Sequence, residues 1–237
     1  MSAGMEITMK QTDIINPFQP YMTLEMDGYS QINRTDYGIS HFYEFTIHDE
    51  KKHCIKAVPD ASIDLLFNIG ENKVSTYISG TVFGVKKWEL GTQDDCFGVR
   101  FQPGQGILPK DITMEMIVND DIEIDGDIFG KNLTEKIALA KTMSERIDIF
   151  KKAYEDMVLG RNSLSDKEKI NEYLVNRISR TKGMITMRQL EDETNYSACY
   201  LRRIFKSFHG ISPKQFAQYI RFQNLLMQAD KEGVRYE

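Results

Sequence analysis

The chain is 237 residues long, 41% apolar, with a net charge of −5. No apolar run reaches the roughly 18–20 residues of a membrane helix. The three cysteines, Cys54, Cys96 and Cys199, have no paired spacing, which argues against a disulfide scaffold and fits a reducing cytoplasm.

The opening MSAGMEITMKQTD lacks the charged-then-apolar pattern of a secretory signal. Residues up to about 130 read as β-rich. Phe42–Ile47 alternates weakly, and Ser62–Ile69, Val74–Gly84 and Cys96–Pro103 are short apolar or β-branched runs. Turn signals such as Gly70-Glu71-Asn72-Lys73 and Gly91-Thr92 separate them. Short strands at near-regular spacing predict a small barrel or double-sheet domain.

Chemistry in this region is sparse. Arg100 stands between Val99 and Phe101 on a predicted strand, where an unpaired charge would be expensive. Pairing with Asp64 or Asp60 is the favoured reading, and binding of an anionic effector is the sharper alternative. Phe67, Tyr77, Phe83, Trp88, Phe97 and Phe101 make either an aromatic core or the lining of a ligand cavity. Arg100, Trp88, Tyr77 and Phe83 are therefore the candidate ligand-binding residues. His48, His53 and Cys54 lie close together without metal-ligand spacing, so loop or strand-edge roles are expected for the histidines. No phosphate loop or nucleophile elbow occurs. No catalytic residue, metal or cofactor is expected, and the chain does not read as an enzyme.

From Asn132 to Leu159 apolar residues recur near 3.6, through Leu133, Ile137, Ile147, Phe150 and Tyr154. This predicts two helices broken around Thr142–Ser144, with Ser144 capping the second. Their apolar faces would pack on the β-rich domain or on a second copy, and a homodimer is expected. Gly160–Ser163 reads as a linker. Two domains are thus expected, residues 1–160 and residues 164–237. Ser165 would cap the first helix of the second domain.

Ile185–Gly210 is the most specific segment. Thr186 and Gln189 can form a capping box. Asn195 tolerates the left-handed conformation of a helix end. Ser197 can cap the next helix, and Gly210 can stop it. Leu201, Ile204, Phe205 and Phe208 fall on one side, while Ala198, Cys199, Arg202, Arg203 and Lys206 fall on the other. Two short helices across a tight turn, the second bearing cations outward, form a helix-turn-helix pattern suited to a DNA major groove. Arginine can bond guanine O6 and N7 together or clamp phosphate.

The run from Asn195 to Ala229, with Tyr196-Ser197, Tyr200-Leu201, Arg203, Phe205-Lys206, Gly210, Ser212-Pro213 and Tyr219-Ile220-Arg221, resembles the AraC/XylS family of bacterial transcription regulators. The resemblance implies that Ser197, Ala198, Cys199, Arg202, Arg203 and Lys206 meet DNA, Lys206 at phosphate. It also implies a cytoplasmic regulator, dimeric on repeated half-sites, with RNA polymerase and a small-molecule effector as candidate partners. Val58–Ile69 and Gly98–Pro109 resemble segments of a sensor-like domain at the front of some of these regulators. By analogy the front domain would be a cupin-like jelly roll, giving an α+β chain. The alternative is that this domain is only a dimerisation or protein-interaction module. The family carries two helix-turn-helix units. Here Glu237 follows soon after the linker helix, so the second unit is missing and weak DNA binding by this chain alone is expected. Charge is segregated in keeping with this. Asp166–Glu237 holds 13 Lys/Arg against 9 Asp/Glu, a net +4, which leaves −9 on the front.

Overall fold

The computed structural model describes residues 17–21, 28–46, 54–71, 73–89, 95–106, 108–160 and 164–233. His48, His53, the Gly91-Thr92 turn, Asn72, Arg161–Ser163 and the side chains of Cys54 and Trp88 lie outside the described residues.

The apolar runs become strands, Asp64–Ile69 and Val74–Ser79 buried on alternate residues, and Ile39–Thr46 and Asp95–Phe101 buried on both faces. The strands are β1 (Ser30–Asn33), β2 (Ile39–Thr46), β3 (Cys54–Ala57), β4 (Asp64–Ile69), β5 (Val74–Ser79), β6 (Lys86–Glu89), β7 (Asp95–Phe101) and β8 (Asp121–Ile124). Six form one sheet in the order β1-β2-β7-β4-β5-β8, and β3 pairs with β6 in a separate ribbon. The α+β class is as expected. The six strands form an open sheet with edges at β1 and β8, so the barrel or jelly-roll closure expected of this region is not seen among the described residues.

Register explains the core. Phe42 stands opposite Val99, Val99 opposite Leu65, and Leu65 opposite Ile78. This apolar row meets α2 (Leu133–Leu139) and α3 (Met143–Leu159) through Leu133, Ile137, Ile147 and Phe150. The Phe150 ring sits edge-on to Phe42, centroids 5.9 Å apart. Burying each such aromatic contributes roughly 1.5–3 kcal/mol. The two helices were expected to pack on the β-rich domain or on a second copy, and they do cover their own sheet. One detail of capping differs. Thr142, not Ser144, caps α3, because only Thr142 has Glu145 three residues on to return the bond to its N–H.

A short helix α1 (Met114–Ile117) precedes β8. The rear region comprises α4 (Asp166–Arg180), α5 (Met187–Thr194), α6 (Ala198–His209) and α7 (Pro213–Lys231). Its core joins Leu174, Val175, Ile178, Leu190, Leu201, Phe205, Phe216 and Ile220, and takes in Ala61 of the front region. At this seam a Cβ on Gly104 would lie 3.0 Å from Val175, and one on Gly210 would lie 2.5 Å from Val118. Gln223 of α7 is fully buried, accepts from Phe18 N–H at 2.7 Å and donates to Pro59 O at 3.0 Å. No helix among the described residues is long and apolar enough to cross a membrane.

Candidate nucleic-acid interface

The local signals of the helix-turn-helix are realised one by one. Thr186 accepts from Gln189 N–H at 3.2 Å, and Gln189 Oε1 accepts from Thr186 N–H at 2.9 Å. Asn195 ends α5 with φ 57°, in the left-handed region. Ser197 accepts from Tyr200 N–H, and the carboxylate of Glu191 accepts from Ala198 N–H. Gly210 stops α6 with φ 66°. Burial then sets the rotation of α6. Leu201, Ile204 and Phe205 point inward at 3% exposure or less, and Phe208 is half-buried.

The other side of α6 is therefore outward. Cys199, Arg202, Arg203 and Lys206 are exposed, as is the cap Ser197, while Ala198 is half-buried. Neither arginine nor Lys206 makes an ion pair among the described residues. Arg203 lies over the ring of Tyr200, 5.5 Å from its centroid, and Tyr200 packs on Tyr196 at 5.1 Å. This stack gives Arg203 a preferred direction without neutralising it. Sequence reasoning placed the cations but missed the tyrosine ledge, whose i and i+4 spacing was the available signal.

Polar contacts tie together the helices behind α6. Glu193 accepts from Tyr173 at 2.7 Å and pairs with Arg177, binding α5 to α4. Partial burial and the bond to Glu193 raise the Tyr173 pKa, whereas Arg177 lowers that of Glu193. A Cβ on Gly183, at φ 75°, would lie 2.2 Å from Ala217 O, so this turn needs glycine to let α7 approach. Arg221 donates to Gly183 O and thereby closes the same turn. His209, near the end of α6, is buried between Phe205 and Phe216 and bonded through Nε2 to Asn171 Oδ1 at 2.8 Å. Its burial lowers the pKa to about 3.

The front region holds a different kind of polar group. Arg100 is 4% exposed; its Nε donates to Asp64 Oδ1 at 2.9 Å, and its Nη1 lies 3.3 Å from Asp60 Oδ2 without hydrogen-bond geometry. The favoured pairing is thus present with both carboxylates. Tyr43 donates to Asp64 at 3.2 Å, and Gln19 donates to Asp60 at 2.8 Å. A Cβ at residue 98 would fall 2.0 Å from the Tyr43 ring, so Gly98 in β7 lets that ring lie flat across the strand. His41 stands opposite Arg100 in register. Burial first, then the guanidinium, lowers the His41 pKa to about 3. Burial pushes Asp60 up against the opposing pull of Arg100. Burial works against the charge on Arg100, but Asp64 and Asp60 outweigh it and raise its pKa.

The four candidate ligand residues are not gathered into one cluster. Arg100 is engaged by the two aspartates. Tyr77 of β5 shares its sheet face by register and is half-buried. Phe83 is 55% exposed in the loop before β6, its N–H on Asn119 Oδ1. The Trp88 side chain lies outside the described residues. Phe67, Phe97 and Phe101 belong to the sheet core. Among the described residues no group of three or more His, Cys, Asp or Glu is arranged to hold a metal ion.

Residues 37–123 match a family model described as a domain of unknown function, DUF6597. The match falls on the sheet region and contains both front segments, Val58–Ile69 and Gly98–Pro109. No curated protein matches the chain, and no solved structure does.

Proposed function

We propose that this chain is a sequence-specific DNA-binding transcription regulator of AraC/XylS type, in which α6 enters the major groove and the front region governs it. The observation that carries the reading is the bare cationic side of α6. Arg202, Arg203 and Lys206 stand exposed on a helix whose opposite side is anchored in the core. Arg202 and Arg203 read base edges, and Lys206 meets phosphate. Cys199 and Ala198, small and one turn earlier, let the helix come close. The acidic front region is held off the duplex by its own charge. The protein acts as a cytoplasmic dimer on repeated half-sites, with RNA polymerase as a partner.

Selection of bound sequences from a random duplex pool tests this. Arg202→Ala should relax preference at one base position, a loss of about 1–3 kcal/mol of discrimination, while Lys206→Ala should weaken every sequence alike. Equal losses on every sequence for both variants would contradict the assignment.

A further inference from the structure

A cleft of about 380 Å³ opens between α4 and the turn that joins α5 to α6. Sites for small molecules commonly measure ~300–1,000 Å³. Ile170 and Tyr173 of α4 line it together with Tyr196 of the turn, so its surface is more apolar than polar and partly aromatic. Asn176 lines it too. That residue is 3% exposed, and its Oδ1 has no hydrogen-bond partner among the described residues. A buried acceptor left unmatched costs free energy, and the great majority of such groups in folded proteins find a donor. The neighbouring polar groups are already engaged. Tyr173 donates to Glu193, Glu193 pairs with Arg177, and Thr194 donates to Leu190 O at 2.7 Å. Lys169 and Glu172 are exposed at the rim, Lys169 beside Asp166. Inside the rim the lining thus offers one unmet acceptor and no unpaired charge.

We infer that this cleft binds a flat, uncharged aromatic molecule carrying an O–H or N–H donor, its rings against Tyr173 and Tyr196 and its donor on Asn176 Oδ1. Tyrosine walls favour an aromatic occupant through offset or edge-on ring contacts. The unmet oxygen selects a donor over an acceptor. An ion would lose its hydration there and find no free counter-charge, so the occupant is neutral. The inference is independent of whether α6 reads DNA, since the binding is measured without a duplex.

Calorimetric titration of the full chain with 2-naphthol and its methyl ether tests it. The ether keeps the rings and lacks the donor, so the naphthol should bind about tenfold more tightly. Asn176→Leu should abolish that preference. Tyr196 is 43% exposed, so Tyr196→Ala removes a wall with the fold kept and should weaken both probes alike, by about threefold to tenfold. Melting temperature verifies that each variant is folded. Absent naphthol binding, equal binding of the two probes, a preference that survives in folded Asn176→Leu, or undiminished binding by Tyr196→Ala would overturn it.

Discussion

Arg100 and Arg202 carry the same guanidinium and live in opposite circumstances. Arg100 is walled into the sheet, with Asp64 and Asp60 on it and Tyr43 and His41 beside them. Arg202 stands in solvent with no acidic partner among the described residues. A buried charge must be paired to be tolerated, and once paired it has little left to offer a ligand. An exposed, unpaired cation contributes little to folding and keeps its capacity for an anionic partner. Arg100 thus serves the architecture of the front region, whereas Arg202 is displayed by the rear one.

The largest expected effect breaks this contrast from the buried side. Arg100→Met strands two carboxylates in the sheet and should destabilise the chain by about 3–5 kcal/mol in urea unfolding. Arg202→Ala should change stability by less than about 0.5 kcal/mol. If the two substitutions act alike on stability, the distinction fails.

Acid sharpens it next. His41 and His209 have pKa values lowered to about 3 in the folded chain, against about 6.5 unfolded. The unfolded chain therefore takes up these protons first. Their contribution is intact above about pH 6.5 and is lost as pH falls toward 3. By pH 5 each should have weakened the fold by about 2 kcal/mol. Asp60, pushed up by burial, works the opposite way at lower pH. His209→Gln can retain a bond to Asn171 and should flatten the pH dependence of the melting temperature. An unchanged profile would mean that this imidazole titrates normally.

The smallest expected effect is local. Thr186→Ala removes one side of the α5 capping box and should cost about 1 kcal/mol. Calorimetric melting would detect it.

Much of the rear region was legible because its signals are local. Capping boxes link residues three apart, the turn Asn and stop Gly act on their own φ, and a helical face repeats within a dozen residues. The same rule at Thr142 and Glu145 locates the α3 cap, whereas residue type alone points to Ser144. The strands with strong apolar character, β2, β4, β5 and β7, were legible, whereas the four-residue strands β1, β3, β6 and β8 carry too short a pattern. Strand order and register depend on pairings between distant segments, and the open sheet could not be read from spacing. Arg100 with Asp64 was foreseeable, since a strand arginine needs a partner. Gln19 on Asp60 and Gln223 on Pro59 were not. The latter pair is 164 residues apart, and a glutamine leaves no mark of where it will bond.

The most direct trial of the central claim is the salt dependence of binding to a selected duplex, followed by fluorescence anisotropy. For the intact chain, log affinity should fall linearly with log salt concentration. In Arg202→Ala/Arg203→Ala/Lys206→Ala the slope should be shallower by about 1, from the loss of the Lys206 phosphate contact, and sequence preference should be lost. Identical slopes and affinities for the two proteins, with both folded, would contradict the account.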